Sequence, residues 1–135
     1  MSPDAEHPQH ALVVGVGASS GADPERLRRL LHKALDQARL GPEDVTLLAT
    51  VDAKEHEPAI VALARHLDVE LHTFPAEALA AQPVPTPSPV VAAAVGTPSV
   101  AEAAALLAAG PGAELIVPKQ RTSDATVAIA RAVLP

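Results

Sequence analysis

Short runs of apolar residues alternate along this chain with longer segments in which apolar residues recur every three or four positions. Residues 11–16 and 45–51 are short and mostly apolar, as is typical of strands that are buried on both faces of a sheet. Between them, Asp23 can cap a helix with Pro24 at its first position, and Gly41-Pro42 ends it. The apolar residues of that segment share one helical face: Leu27, Leu30, Leu31, Ala34, Leu35 and Ala38.

A second unit repeats this plan and leads into a proline-rich segment. Pro58 opens the next predicted helix, and its apolar face consists of Ile60, Leu63, Ala64 and Leu67. Residues 69–74 alternate polar and apolar positions, which predicts a less buried strand, and a short helix over residues 76–80 follows. Residues 82–89 contain four prolines and predict a rigid, extended crossover within the same domain.

The last third of the chain predicts three more helices and one more strand. Residues 88–96 predict a short helix, and the capping box of Ser99 and Glu102 begins another that continues to residue 109. Residues 114–117 predict a fourth strand, which the following proline ends. A final helix is expected to begin near Ser123, and its buried side consists of Val127, Ala130, Val133 and Leu134.

This order of elements defines the expected fold class. Apolar strands joined by helices, in the order β-α-β-α-β-α-α-α-β-α, predict an α/β fold: a three-layer α/β/α domain with a mostly parallel sheet of about four strands. We expect this single domain to span residues 11–135 and residues 1–10 to form a disordered leader. In such a sheet, ligands bind beyond the carboxyl ends of the strands.

The composition excludes several classes of function. The 135 residues include no Cys, Trp or Tyr and a single Phe, Phe74, so disulfides, cysteine nucleophiles and stacking of single-stranded nucleic acid are excluded. Ten Lys and Arg against 16 Asp and Glu give a net charge of −6 at pH 7, which has the wrong sign for a nucleic-acid binder. No apolar stretch approaches the roughly 18 residues that span a bilayer, and the first residues lack signal-peptide features. The sequence therefore predicts a cytoplasmic protein with no membrane partner.

The residues that follow the predicted strands are the candidates for a ligand site. Of the three lysines in the chain, Lys54 and Lys119 follow the second and the fourth strand. Two lysines near the amide-rich starts of helices would form a concave site for carboxylates or phosphates, whereas ordinary polar loops are the alternative. The candidate ligand-binding residues are Gly15, Gly17, Ser19, Ser20, Thr50, Asp52, Lys54, Lys119, Ser123 and Thr126.

Other chemistry is less well supported by the spacing of residues. The loop after the first strand has the spacing GxGxxxG, without the acidic residue that a dinucleotide ribose needs about 20 positions later, so a tight turn explains it better. Asp52, Glu55, Glu57 or His56 could act as acid or base if buried beside Lys54, and a solvated loop explains them equally well. The serines include no GxSxG elbow, and no histidines have the HxxxH spacing of a metal site. Catalytic residues are therefore unassigned, and neither a metal nor a cofactor is predicted.

Five motifs follow one another between Ala11 and the end of the chain: Gly15-Val16-Gly17; Ala49-Thr50-Val51-Asp52-Ala53-Lys54 with Glu57-Pro58; Pro83-Val84-Pro85-Thr86-Pro87-Ser88; Gly96-Thr97-Pro98-Ser99-Val100-Ala101-Glu102-Ala103; and Val117-Pro118-Lys119 with Thr126-Val127-Ala128-Ile129-Ala130. In this order they resemble the CobE/CbiG C-terminal domain family of cobalamin (vitamin B12) biosynthesis. No single motif is decisive, but five in register make coincidence improbable.

The resemblance implies a function in corrin synthesis. Two-domain members of the family carry a separate N-terminal part and open a lactone ring on a cobalt-precorrin, releasing acetaldehyde. This chain is similar to the free-standing, CobE-like form. That form implies an auxiliary protein that binds a precorrin or a hydrogenobyrinic-acid-like tetrapyrrole, with other cobalamin-pathway enzymes as further partners. The alternatives are an enzyme that acts on a precorrin in a ring-opening, hydrolase-type step, and a nucleotide- or phosphate-binding α/β module.

Overall fold

A computed structural model describes residues 12–82 and 100–132 and places them in five strands and four α-helices. The strands are β1 (Leu12–Ala18), β2 (Leu47–Val51), β3 (Glu70–Phe74), β4 (Glu114–Arg121) and β5 (Ala125–Arg131). The helices are α1 (Pro24–Gln37), α2 (Pro58–Leu67), α3 (Ala76–Ala81) and α4 (Val100–Ala109). One-turn 3-10 helices precede and follow β2, at Pro42–Asp44 and Asp52–Lys54.

The five strands form one mixed sheet in the order β3-β2-β1-β5-β4. The pairs β1–β2 and β2–β3 are parallel, whereas β5 is antiparallel to both of its neighbours, β1 and β4. The predicted α/β fold is confirmed. The prediction of a mostly parallel sheet of about four strands is corrected to a mixed sheet of five.

The starts and ends of α1 and α2 follow from their sequences. The side chain of Asp23 accepts a hydrogen bond from the N–H of Glu25 at 3.0 Å, which satisfies a donor at the start of α1. Both helices have proline in the first turn, where the missing N–H costs nothing. Asp68 ends α2 in the left-handed conformation, with φ of 57°, and this conformation turns the chain directly into β3.

Alternate residues of β1 contribute to two hydrophobic clusters, one on each face of the sheet. Val14 and Val16 pack with the apolar residues of α1 and α2. Val13 packs on the other face with Leu79 of α3 and the alanines of α4. Because successive strand residues point to opposite faces, the sheet lies between two helical layers.

Gly15 allows α4 to pack directly on the backbone of β1. A Cβ atom at this position would lie 1.9 Å from the carbonyl oxygen of Ala101 and 2.7 Å from the nitrogen of Ala105. Both contacts are far shorter than any van der Waals distance, so only glycine fits. The alanine-rich sequence of α4 has the same consequence, because small side chains permit close approach of a helix to a sheet.

The predicted final helix near Ser123 is wrong, because residues 125–131 form β5. This strand lies in the interior of the sheet, and Ala125, Val127 and Ile129 join the cluster on one face while Ala130 joins the other. A short apolar run that is buried on both faces cannot be distinguished from a buried helix by periodicity alone. The predicted helix residues Val133 and Leu134 lie outside the described residues.

The fourth strand is longer than predicted, because β4 continues through Pro118 to Arg121. It lies at an edge of the sheet and pairs with β5 alone, and an edge strand tolerates proline. The register shifts between Val117 and Gln120, and there the N–H of Lys119 donates to the carboxylate of Glu102 in α4 at 2.9 Å. The fully buried Glu102 thus satisfies a backbone donor at the irregular step of the strand.

Some of the remaining predictions are confirmed, and the others concern residues outside the described part of the chain. The helices after the first, second and third strands and the helix that continues to residue 109 are confirmed. The leader over residues 1–10, the helix over residues 88–96, the Ser99 half of the capping box and nearly all of the crossover over residues 82–89 lie outside the described residues. No helix within residues 12–82 and 100–132 is long and apolar enough to cross a bilayer.

Candidate ligand-binding edge of the sheet

The carboxyl end of β1 defines one edge of the sheet, which we call the carboxyl edge. It comprises residues 17–23 at and after the end of β1, residues 52–57 after β2, and residues 119–126, which are the end of β4, the β4–β5 turn and the start of β5. The turn lies at this edge because Ala18 is paired with Ala125 in the antiparallel register of β1 and β5. All the predicted site residues except Gly15 and Thr50 fall in these three segments.

Lys54 connects the loop after β2 to the loop after β1. Its Nζ donates to Oγ of Ser20 at 3.2 Å and lies 3.9 Å from Oε1 of Glu57. The lysine side chain is 24% exposed, and an ammonium has three donors. Lys54 is therefore held in position and still has a donor for a ligand oxygen.

Glu57 forms a second connection between the same two loops. Its Oε2 accepts a hydrogen bond from the N–H of Gly21 at 3.0 Å, and Gly21 has a φ of +77°, which glycine adopts without strain. The Glu57 side chain is only 9% exposed. These contacts hold Ser19 and Ser20 at the surface, where both are exposed.

Asp124 connects the β4–β5 turn to the start of α1. Its Oδ2 accepts from the N–H of Asp23 at 3.1 Å and from the guanidinium of Arg26 at 2.9 Å, and its Oδ1 accepts from the Thr122 hydroxyl at 2.9 Å. The Asp23 N–H, the Thr122 hydroxyl and the Arg26 charge together lower the pKa of Asp124 below its usual value. The backbone carbonyl of Asp124 also accepts from the N–H of Ser19 at 2.9 Å.

Gly17 and Thr126 lie side by side at the β1–β5 step next to the start of α4. They are paired in register, and a Cβ on Gly17 would lie 2.8 Å from Oγ1 of Thr126 and 3.7 Å from Cβ of Val100. The Thr126 hydroxyl therefore occupies the space that the glycine leaves beside its own strand. Ser123 is an exposed residue of the adjacent turn.

Two predicted site residues point into the protein rather than out of the edge. Gly15 lies under α4, as described above. Thr50 is fully buried, and its hydroxyl donates to the carbonyl oxygen of Val16 at 2.7 Å. With Gly15 under α4 and Gly17 beside Thr126, the GxGxxxG segment does not present these two glycines as an open phosphate cradle.

Lys54 and Lys119 border the same edge without lying close together. Lys54 follows β2 and Lys119 lies in β4, and β1 and β5 separate these two strands. At about 4.8 Å per strand, three steps separate β2 from β4 by roughly 14 Å across the sheet, so the two lysine backbones are at least that far apart. One small anion cannot contact both, whereas a wide ligand with several carboxylates can.

The acidic loop after β2 is open to solvent except at Glu57, whose side chain is largely buried beside Lys54. Asp52, Glu55 and His56 are exposed, and the His56 side chain is 94% exposed, with Nε2 3.9 Å from Oε1 of Glu55. General acids and bases usually acquire their properties from burial and fixed partners, which these residues lack. Among the described residues, no group of three or more His, Asp or Glu could hold a metal ion.

No sequence signal pointed to Asp124 or Arg26. Glu57 was a candidate acid or base and Glu102 a capping residue, whereas the structure shows them accepting from the N–H groups of Gly21 and Lys119. Each contact joins residues far apart in the chain: Asp124 and Asp23 are separated by 101 positions, and Gly21 and Glu57 by 36. The Thr122-Ser123-Asp124 sequence is a polar turn signal, but its partners follow from β5 being antiparallel to β1. The helix that the sequence predicted near Ser123 gave no indication of these partners.

The fold and this edge define a class of protein: a three-layer α/β domain with a mixed sheet, whose carboxyl edge presents a positioned lysine, two exposed serines and helix starts. A family model described as "Cobalamin synthesis G C-terminus" matches residues 12–130. The chain is 40% identical over 121 residues to "Protein CobE" of a Sinorhizobium species, an alignment that covers 88% of this chain and 79% of that protein. The chain therefore belongs to the CobE/CbiG C-terminal family, and it is a CobE/CbiG-like protein of cobalamin biosynthesis.

Solved structures agree with this assignment. The crystal structure of CobE, described as a protein from the cobalamin (vitamin B12) biosynthetic pathway, matches with a TM-score of 0.78 and 32% identity over 92% of this chain and 95% of that one. The cobalamin biosynthesis protein chiG from Agrobacterium tumefaciens matches with a TM-score of 0.69 and 34% identity over 90% and 98% of the two chains. The family resemblance drawn from the five motifs is confirmed.

Proposed function

We propose that this protein binds a carboxylate-rich precorrin or hydrogenobyrinic-acid-like tetrapyrrole at its carboxyl edge, in an auxiliary role without turnover. The observation that carries the proposal is the position of Lys54, whose ammonium is held between Ser20 and Glu57 and is still partly exposed. A lysine fixed at a surface edge is well placed to bind a carboxylate that reaches it from outside. Because the family belongs to cobalamin biosynthesis, the carboxylate-rich ligands to consider are the tetrapyrrole intermediates of that pathway.

The width of the edge fits a large ligand better than a small one. A corrin-type macrocycle carries acetate and propionate side chains around its whole rim. With Lys54 and Lys119 roughly 14 Å apart at the strand level, two different carboxylates of one macrocycle could be held at once. The exposed hydroxyls of Ser19, Ser20 and Ser123 add hydrogen-bond donors between the two cations.

The macrocycle itself would lie on small aliphatic side chains. Ala18 ends β1 and Ala53 precedes Lys54 in the loop after β2, and both are at least partly exposed. The net charge of −6 repels a polyanionic ligand at a distance. Affinity on this account comes from short contacts at the edge rather than from attraction over a long range.

An auxiliary role is favoured over catalysis by the environment of the titratable groups. The exposed Asp52, Glu55 and His56 lack the burial that would hold a general acid or base in one geometry. The one largely buried carboxylate of this loop, Glu57, already accepts from the N–H of Gly21 and faces the ammonium of Lys54. The ammonium of Lys54 donates to Ser20 and has no lone pair with which to take a proton from that hydroxyl. The arrangement therefore positions and holds an anion and does not activate a nucleophile.

Absorbance titration of the protein with a panel of corrin intermediates tests this function. We expect saturable spectral shifts for the carboxylate-rich members and at least about tenfold weaker binding for Lys54→Ala, because a hydrogen bond to a charged group contributes about 1.5–3 kcal/mol. Lys33→Ala is the matched control, since Lys33 is an exposed lysine of α1 outside the edge. Conversion of an intermediate to a new product by the isolated protein would replace the auxiliary role with an enzymatic one.

A further inference from the structure

His32 of α1 and His66 of α2 form a side-chain pair that lies outside the carboxyl edge. Their Nε2 atoms lie 3.2 Å apart, and the two ring centroids are separated by 5.4 Å with the ring planes inclined at 57°. From this geometry we propose that the pair is a binding site for a divalent first-row transition metal ion, coordinated through both Nε2 atoms.

The nitrogen–nitrogen distance agrees with two imidazoles on one metal ion. At a metal–nitrogen distance of about 2.0–2.1 Å, two ligand nitrogens lie about 3.3–3.4 Å apart at a tetrahedral angle and about 2.8–3.0 Å apart at the 90° angle that Cu²⁺ and Ni²⁺ favour. The observed 3.2 Å differs by a few tenths of an ångström, which small ring rotations supply. In the metal-free pair one Nε2 donates its proton to the other, so coordination requires that ring to carry its proton on Nδ1 instead.

The two helices fix the backbones of both histidines before any metal binds. Leu31, next to His32, is fully buried, and Leu63, one turn before His66, is almost fully buried; both belong to the cluster between the helices and the sheet. The separation of the two backbones is therefore fixed by the core. A site assembled in advance on rigid helices loses little conformational entropy on binding.

The electrostatic surroundings of His66 are mixed. It lies in the last turn of α2, where the free carbonyl groups and the negative end of the helix dipole favour a cation. Arg65 lies in the same turn and opposes one, but its side chain is exposed and its charge is screened by solvent. Because these two effects oppose each other and neither distinguishes one divalent ion from another, the imidazole donors determine which ion binds.

Two imidazoles select the class of ion. Imidazole nitrogen suits Cu²⁺, Ni²⁺ and Zn²⁺, whereas Mg²⁺ and Ca²⁺ require oxygen ligands. Because the described residues provide no third His, Asp or Glu to this group, water or an external ligand fills the other coordination positions. The affinity is expected to be highest for Cu²⁺, as the general order for divalent ions requires.

The pair is independent of the proposed tetrapyrrole site. His66 is eight residues beyond Pro58, so it lies about 12 Å along α2 from the end that borders the carboxyl edge. The spacing rule for metal sites on one helix could not find it, because the two histidines are 34 positions apart and belong to different helices. Failure of either proposal leaves the other unchanged.

Calorimetric titration of the tag-free full chain with Cu²⁺ and Ni²⁺, and with Mg²⁺ as a negative control, tests this inference. We expect one Cu²⁺ site whose affinity falls at least about tenfold in His32→Gln and in His66→Gln, since even groups that only orient metal ligands change affinity on that scale. His56→Gln and the double variant His7→Gln/His10→Gln are the controls, because they remove histidines outside the pair. Unchanged affinity in the two pair variants, or loss of binding in the His7/His10 variant, overturns the proposal. Equal unfolding midpoints without metal show that the pair variants are folded.

Discussion

The carboxylate of Asp124 accepts a hydrogen bond from the backbone N–H of Asp23, 101 positions earlier in the chain, at 3.1 Å. This contact joins the β4–β5 turn to the first turn of α1. The carbonyl of Asp124 also holds the N–H of Ser19 at 2.9 Å. The loop that displays Ser19 and Ser20 is therefore fixed by the turn on one side and by Lys54 and Glu57 on the other.

Asp124→Ala should lower the thermal unfolding midpoint more than Arg26→Ala does. The aspartate variant loses the contacts to Asp23, Thr122 and Arg26 together, whereas the arginine variant loses one salt bridge between partly exposed groups, and such bridges contribute little. Differential scanning calorimetry at pH 7 measures both midpoints. Equal losses would mean that the backbone contact to Asp23 contributes no stability.

The stabilisation by Asp124 should disappear in acid. Because its pKa in the folded protein is lowered, the carboxylate stabilises the fold above the unfolded pKa of about 3.9, and that contribution is lost as the pH falls through the folded pKa. The difference in unfolding free energy between the wild type and Asp124→Asn, measured by urea denaturation, should be largest near pH 7 and should shrink as the pH falls below about 3.9. A difference that stays constant across this range contradicts the assignment.

Gly15→Ala should destabilise the protein by about 1–3 kcal/mol or more, the usual cost of overpacking a core. The added methyl would meet the backbone oxygen of Ala101 at 1.9 Å, and α4 would have to move as a unit. Gly17→Ala is the matched control, since its nearest neighbour is the side-chain Oγ1 of Thr126 at 2.8 Å, which can rotate away. Urea denaturation should rank Gly15→Ala as the more damaging, and the reverse order would contradict the close packing of α4 on β1.

Thr50→Val should reduce stability and leave ligand binding intact. The substitution keeps the shape of the buried side chain but removes the hydrogen bond to the Val16 carbonyl, 2.7 Å long, at a cost of about 0.5–1.5 kcal/mol. Urea denaturation measures the loss, and the absorbance titration measures the affinity. A clear fall in affinity at unchanged stability would return Thr50 to the ligand site.

Local sequence signals predicted most of the fold. Asp23-Pro24 and Pro58 begin the two helices where caps and proline are favoured, and the apolar runs before them mark β1 and β2. The prediction failed at residues 125–131, where the run Ala-Thr-Val-Ala-Ile-Ala-Arg satisfies a helix as well as a strand. Its pairing with β1, more than 100 positions away, decides the outcome, and no local pattern contains that information.

The sequence predicted which loops form the candidate site, but it did not predict the contacts that their residues make. The placement of Lys54, Ser19 and Ser20 at the carboxyl edge follows from parallel strands alone. The inward positions of Gly15 and Thr50 depend on which face of each strand meets α4 or the neighbouring strand. The separation of the two lysines depends on strand order, which placed β5 between β1 and β4.

The account depends most directly on the affinity of this edge for a carboxylate-rich corrin intermediate. The measurement is the ratio of dissociation constants of Lys54→Ala and Lys33→Ala for one such intermediate, obtained by absorbance titration at one salt concentration. Both variants lose one positive charge, so a change in net charge affects them equally. We expect a ratio of at least about ten, from the loss of one charged hydrogen bond, whereas a ratio of one with tight binding by both variants would contradict the proposed site.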